Sequence, residues 1–111
     1  MAVRTVLRMG HPLLQRVADP VTRFGTAELR QLVSDMDDTM RALSGAGIAA
    51  PQIGLSLRVV IFEVTHNPRY PQAEPVPYTV LINPVLDLLG DERDEAWEGC
   101  LSVPGLRGLV S

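Results

Sequence analysis

Between Thr26 and Gly45 the apolar residues Leu29, Leu32, Val33, Met36, Met40 and Leu43 fall at offsets of 3, 4, 7, 11 and 14 from the first of them. That spacing follows the 3.6-residue period of an α-helix and lays all six on one stripe. A stripe of this length has to be covered, so the chain is committed to a layer that packs against it. Thr26 is placed to cap the helix, and Gly45 sits just past the last periodic residue, where a helix stops. Asp37 and Arg41 stand four apart on the wet side and can pair. The methionines read as filling for a core rather than as a groove for a partner.

The covering layer is read as β-structure. Residues 57–64, "LRVVIFEV", are short, β-branched and apolar, as a buried strand requires. Residues 79–89, "TVLINPVLDLL", read as a second strand interrupted or edged at Pro84. Residues 66–78 carry four prolines and are expected to form a mobile loop. Pro12, Pro20 and Gly25 make residues 1–25 an arm with at most one short helix, around Leu13–Val17. The acidic run after Gly90 reads as a solvated turn leading to a short strand. The fold class expected is α+β, a long helix on mostly antiparallel strands, within one domain over residues 1–111. Because "GLRGLVS" begins a strand with no closing element after it, these residues are expected to be part of a longer domain.

Bulk properties exclude more than they assign. The 46% hydrophobic and 21% charged residues describe an ordinary globular chain. A formal net charge of −3 leaves no basic footprint for nucleic acid. No apolar run approaches the roughly 20 residues that cross a bilayer, and the N-terminus lacks the uninterrupted apolar stretch of a signal peptide. The single cysteine, Cys100, fits a reducing cytoplasm.

The segment "GAGIAAPQIG", Gly45 to Gly54, satisfies G-x-G-x-x-[GA], the dinucleotide fingerprint. That fingerprint works only between a strand and a following helix whose N-terminus receives the pyrophosphate. Here a helix precedes the glycines, and Pro51 followed by Gly54 argues against a helix after them. Two readings remain: small residues that let another segment pass close, or backbone that must approach a ligand, with Gln52 supplying hydrogen bonds. In "EGCLS", Glu98 to Ser102, a lone cysteine is ordinarily a small buried hydrophobe. Gly99, however, lets the backbone turn close to a bound group, and the Leu101 N–H is a candidate donor to a negative oxygen. As a nucleophile Cys100 would need a base, and the two histidines, His11 in the arm and His66 in the loop, both read as surface residues.

Taken together, the two segments resemble peptide deformylase, the metal hydrolase that removes the formyl group from new bacterial N-termini. The first family motif, approximately G-x-G-[LI]-A-A-x-Q, matches Gly45, Gly47, Ile48, Ala49, Ala50 and Gln52, and E-G-C-L-S matches Glu98 through Ser102 without substitution. The long preceding helix and the "GHPLLQRVADPV" arm are also similar to the family, so the resemblance spans the whole chain. It implies that Cys100 is a thiolate ligand to one divalent metal, Fe²⁺ in the cell with Ni²⁺, Co²⁺ or Zn²⁺ as substitutes. Hydroxide generated on that metal would attack the formyl carbon, with Gln52 and the Leu101 N–H holding the developing oxyanion. Gly45, Ala46, Gly47, Glu98, Gly99 and Arg107 would line the substrate peptide, Ala46 and residues 98–99 bordering the methionine pocket. The partners implied are formyl-Met N-termini of nascent peptides in the cytoplasm, with a transient ribosome association in keeping with them.

The chain departs from the family at its third motif. H-E-x-x-H on a helix supplies two histidine ligands and the proton-shuttling glutamate, and no His–Glu pair occurs among the 111 residues. The expectation is an N-terminal portion of a deformylase, inactive and poorly stable if it is the entire polypeptide. The alternatives from other classes are a metal-free module that holds formyl-Met peptides without hydrolysing them, and a nucleotide-binding protein that NAD or ATP would stabilise.

Overall fold

The computed structural model describes residues 2–65, 72 and 74–111. His66 and most of the proline-rich segment 66–78 lie outside the described residues. The elements, in order, are helix α1 (Pro12–Gln15), helix α2 (Ala27–Ala42), strand β1 (Gly47–Ala49), a one-turn 3-10 helix (Ala50–Ile53), and strands β2 (Val59–Val64), β3 (Val76–Ile82), β4 (Ala96–Cys100) and β5 (Val103–Val110). They form an antiparallel three-stranded sheet in the order β1-β2-β3 and an antiparallel hairpin, β4-β5. The α+β reading holds.

α2 begins where the sequence places it: the Thr26 hydroxyl accepts the Leu29 N–H at 3.1 Å, satisfying one of the orphan donors of the first turn. Its end differs in detail. Ser44, not Gly45, takes the left-handed conformation (φ 54°), its N–H donates to the Arg41 carbonyl, and Gly45 N–H closes on the Met40 carbonyl. This is a Schellman closure with a serine in the position glycine usually fills. The helix therefore stops before Leu43, which is 45% exposed instead of completing the buried stripe.

The stripe is covered by one face of the three-stranded sheet. Ile48 lies opposite Ile61, and Ile61 opposite Val80, so these three side chains share a face across the strands. Ile48, Val59 and Ile61 join Leu32, Met36 and Met40 in the core, with Met36, Val59 and Ile61 wholly buried. The methionines are core residues, as the period required.

β3 departs from the expected strand at both ends. It starts at Val76, inside the segment read as loop, and ends at Ile82, leaving 83–89 outside the sheet. Asn83 explains the stop. It adopts φ 57°, a conformation asparagine tolerates, and its carboxamide turns aside to grip Val21, accepting the Val21 N–H at 2.7 Å and donating to the Val21 carbonyl at 2.9 Å. Pro84 then follows. Val85, Leu86, Leu88 and Leu89 are exposed.

The arm is fastened rather than loose. Buried Asp35 accepts the Ala2 N–H, two bonds from the Arg4 guanidinium at 2.8 and 2.6 Å, and the Gln31 amide. Thr39, one turn on, accepts the Arg4 N–H at 2.8 Å and donates to the Asp35 carbonyl. The exposed pair Asp37–Arg41 forms at 2.9 Å, and Arg41 reaches Glu63 on β2 as well. The short helix is Pro12–Gln15, with His11 as its cap, Nδ1 accepting the Leu13 N–H.

The Arg4 hydrogen bonds, with help from Gln31, hold the Asp35 carboxyl below the ordinary carboxylate range. A depressed folded-state pKa stabilises the fold above the unfolded value, about 3.9, and that stabilisation is lost as pH falls through the folded value. Asp35→Asn should therefore lower the urea midpoint at neutral pH, and the gap to the parent should close below about pH 4. A gap that stayed constant with pH, measured by circular dichroism, would assign the effect to shape alone.

Candidate active site

Gln52 owes its position to the local chain. Pro51 occupies the second position of the one-turn helix, where its missing N–H costs nothing. Gly54 closes the turn at φ 94°, in the left-handed region. Gln52 is the third residue of that turn, and its Oε1 reaches back to accept the Ala49 N–H at 2.9 Å. This is half of a capping box, because Ala49 has no hydroxyl to return the bond. The segment after the glycines is thus briefly helical, contrary to the expectation from Pro51 and Gly54, but for four residues only.

With Oε1 committed to Ala49, the amide nitrogen must face the other way. Nε2 lies 3.0 Å from Ser102 Oγ and 3.6 Å from Cys100 Sγ, within reach of a sulfur acceptor. The first motif and the second, 48 residues apart in sequence, therefore meet at one carboxamide. Cys100 is exposed and not in a disulfide, so the ordinary role of a lone cysteine as a buried hydrophobe does not apply.

Cys100 ends β4, and the hairpin around it is irregular. Gly99 pairs with Arg107, but Cys100 pairs with Val103, leaving residues 104–106 outside the ladder. Pro104 cannot donate to a ladder, and Gly105 takes φ 78°. The bulge makes one wall of an open cleft of about 630 Å³, whose lining includes Cys100, Leu101, Leu106, Arg107 and, from the end of α2, Leu43. Nothing in the sequence points to Leu43 or Leu106 here; both read as strand or stripe residues.

The glycines have different tasks. A Cβ on Gly45 would stand 2.8 Å from Leu101 Cδ1, so this residue is small to admit Leu101 rather than to turn the chain. Gly47 is paired with Phe62, and a Cβ there would meet the Ile61 carbonyl oxygen at 3.2 Å. Ala46 accepts the Glu63 N–H through its carbonyl. Glu98 lies opposite Gly108 on the hairpin and is exposed. Gln52, Cys100, Leu101, Gly45 and Arg107 are thus gathered about the cleft and its carboxamide, whereas Gly47 and Glu98 belong to the flanking strands and Ala46 stands just before β1. His11, as an exposed helix cap, is apart from both. Sequence reasoning missed Ser102 and the arm. The signal was Ser102's place within a matched motif, though nothing in its side chain distinguished it there.

Among the described residues no three His, Cys, Asp or Glu side chains come close enough together to hold a metal ion. Cys100 fits as one thiolate donor, and these residues do not by themselves make a coordination set.

The Polypeptide deformylase family profile matches residues 3–111. The chain is 63% identical over 108 residues to peptide deformylase 1 of Nitrosomonas europaea, covering 97% of this chain and 61% of that protein. It is 59% identical over 108 residues to peptide deformylase 2 of Ralstonia nicotianae, with the same shares. It thus spans about 61% of the length of the curated relatives it matches. Among solved structures, a class I type b peptide deformylase from Acinetobacter baumannii bound to Met-Ala-Ser superposes with a TM-score of 0.91 at 40% identity, over 98% of this chain and 70% of the other.

The contact at Gly45 is directly testable. Gly45→Ala should destabilise by about 1–3 kcal/mol through overpacking, and Leu101→Ala in the same chain should relieve most of that loss in a urea double-mutant cycle. Additive losses would place the strain elsewhere. With both motifs matched and the fold shared over nearly its whole length, the chain belongs to the polypeptide deformylase family.

Proposed function

We propose that this chain carries the oxyanion-binding and peptide-binding part of a deformylase that hydrolyses the formyl group from N-terminal formylmethionine. The observation that carries the reading is the convergence of Gln52 Nε2 on Cys100 Sγ at 3.6 Å, with the amide orientation fixed by Ala49. A carboxamide donor held beside a candidate thiolate is the arrangement that oxyanion stabilisation needs, because the dipole is oriented before charge develops. The Leu101 N–H, at the turn after Cys100, is the second donor in this reading.

The substrate is taken as an extended peptide. β1 is an edge strand of its sheet and β4 belongs to a two-stranded hairpin, so both offer edges to which a strand-like ligand can add. In this reading Gly45, Ala46, Gly47, Glu98 and Gly99 line the peptide. The apolar cleft beside Cys100 receives the methionine side chain, and Arg107 contacts the substrate backbone. Cys100 serves as one thiolate ligand to a divalent ion, iron in the cell with nickel, cobalt or zinc as substitutes. The ion supplies Lewis acidity when bound. The setting proposed is the cytoplasm, on nascent chains as they leave the ribosome. Among the described residues no helix is long and apolar enough to cross a membrane.

The test is release of formate from a formyl-Met peptide by a polypeptide that carries these residues together with a completed metal site. Gln52→Ala should lower kcat by about 10²–10³-fold with a smaller change in KM. Chelation should abolish turnover and added Fe²⁺ restore it, while Cys100→Ala should not be restored. Tight binding of the peptide without turnover by the unsubstituted, metal-supplied protein would favour the binding-module alternative.

A further inference from the structure

We infer that Ser102 is a positioning residue, whose hydroxyl holds the Gln52 amide in the one orientation that aims Nε2 at the Cys100 side of the cleft. The inference rests on the deformylase reading for its activity measurements, but not for its geometry.

Both partners are set by their backbones. The arm donates from Leu7 N–H to the Gln52 carbonyl at 2.7 Å and from Met9 N–H to the Ser102 carbonyl at 2.8 Å. One short stretch, ending in the turn at Met9 and Gly10, thus clips the two motifs side by side. Ser102 is 5% exposed. A buried hydroxyl needs a partner, and the Gln52 amide provides one at 3.0 Å.

Within that frame the carboxamide has three contacts: Ala49 N–H on Oε1, and Ser102 Oγ and Cys100 Sγ on Nε2. An amide nitrogen carries two hydrogens. Ser102 accepts one of them, which leaves the other directed to the sulfur and the space beside it. Without the hydroxyl, the long contact to sulfur is the remaining hold on Nε2 among these three. Ala49 still keeps Oε1 in place, but the amide plane can tilt about its terminal torsion, which is intrinsically broad, while the arm keeps both backbones in place. Donor alignment is lost although the fold is kept.

The experiment combines kinetics with a spectroscopic measurement on the unsubstituted protein. Ser102→Ala should lower kcat about tenfold with KM changed less than twofold, a loss of oriented donation of the kind oxyanion sites show. Ser102→Thr, which keeps the hydroxyl, should recover most of the rate. In a Gln52→Ala background Ser102→Ala should cost less than a further twofold, because it acts through an amide no longer there. A full and equal loss in both backgrounds would overturn the inference, as would no loss in the parent. In nuclear magnetic resonance spectra of the parent, the two Gln52 side-chain amide protons should be well separated, and in Ser102→Ala they should move towards the values of an unbonded glutamine. Unchanged shifts would also overturn it. If the parent releases no formate, the deformylase reading fails by itself, and the amide spectra still decide the role of Ser102.

Discussion

One carboxamide joins the two halves of this structure. Gln52 stands on the one-turn helix between β1 and β2 of the three-stranded sheet, whereas Cys100 and Ser102 stand on a hairpin that is not a member of that sheet. Hydrogen bonds of an amide are directional, so the contact fixes orientation where apolar packing would fix proximity alone. Leu101 does the complementary work. It packs against the core and presses on Gly45, so the hairpin turn is located by van der Waals contact on one side and by Gln52 on the other.

The arm makes this arrangement definite. Its first residues are tied to α2 through Asp35 and Thr39, and Leu7 and Met9 then bind the carbonyls of Gln52 and Ser102. A carboxylate as buried as Asp35 is tolerated because every bond it accepts comes from a donor held in place, and the Arg4 guanidinium supplies two of them. Residues far apart in the chain therefore share one rigid frame, and a group with a chemical task can be placed by it without being part of a long regular element.

Much of the frame was legible in the sequence. The six-residue stripe located α2, Thr26 located its start, and the β-branched run located β2, because helical and strand periods are local properties of side-chain direction. Both motifs of the candidate site were legible through their resemblance to the family, whereas the residues alone left the glycine segment and Cys100 open to structural readings. The misreadings were of another kind. The sequence pattern extends β3 too far towards its C-terminus because 85–89 is as apolar as a strand, while the stop depends on Asn83 gripping Val21, 62 residues away. Gly45 reads as a helix stop, although its smallness answers to Leu101 and the turn conformation falls to Ser44. Asp35 has no local signal because its partner, Arg4, is 31 residues distant.

By itself, then, the sequence determined which segments are helix and strand, which face of each is apolar, and which short stretches carry reactive or hydrogen-bonding groups. Those follow from periodicity and residue chemistry within a few neighbours. Tertiary structure alone decided that the Gln52 amide nitrogen, rather than its oxygen, faces Cys100, that Ser102 shares it, and that Leu43 leaves the core to line the cleft. The reason is physical: an amide has two unlike ends, and which end faces a distant thiol is set by the donor that claims the other.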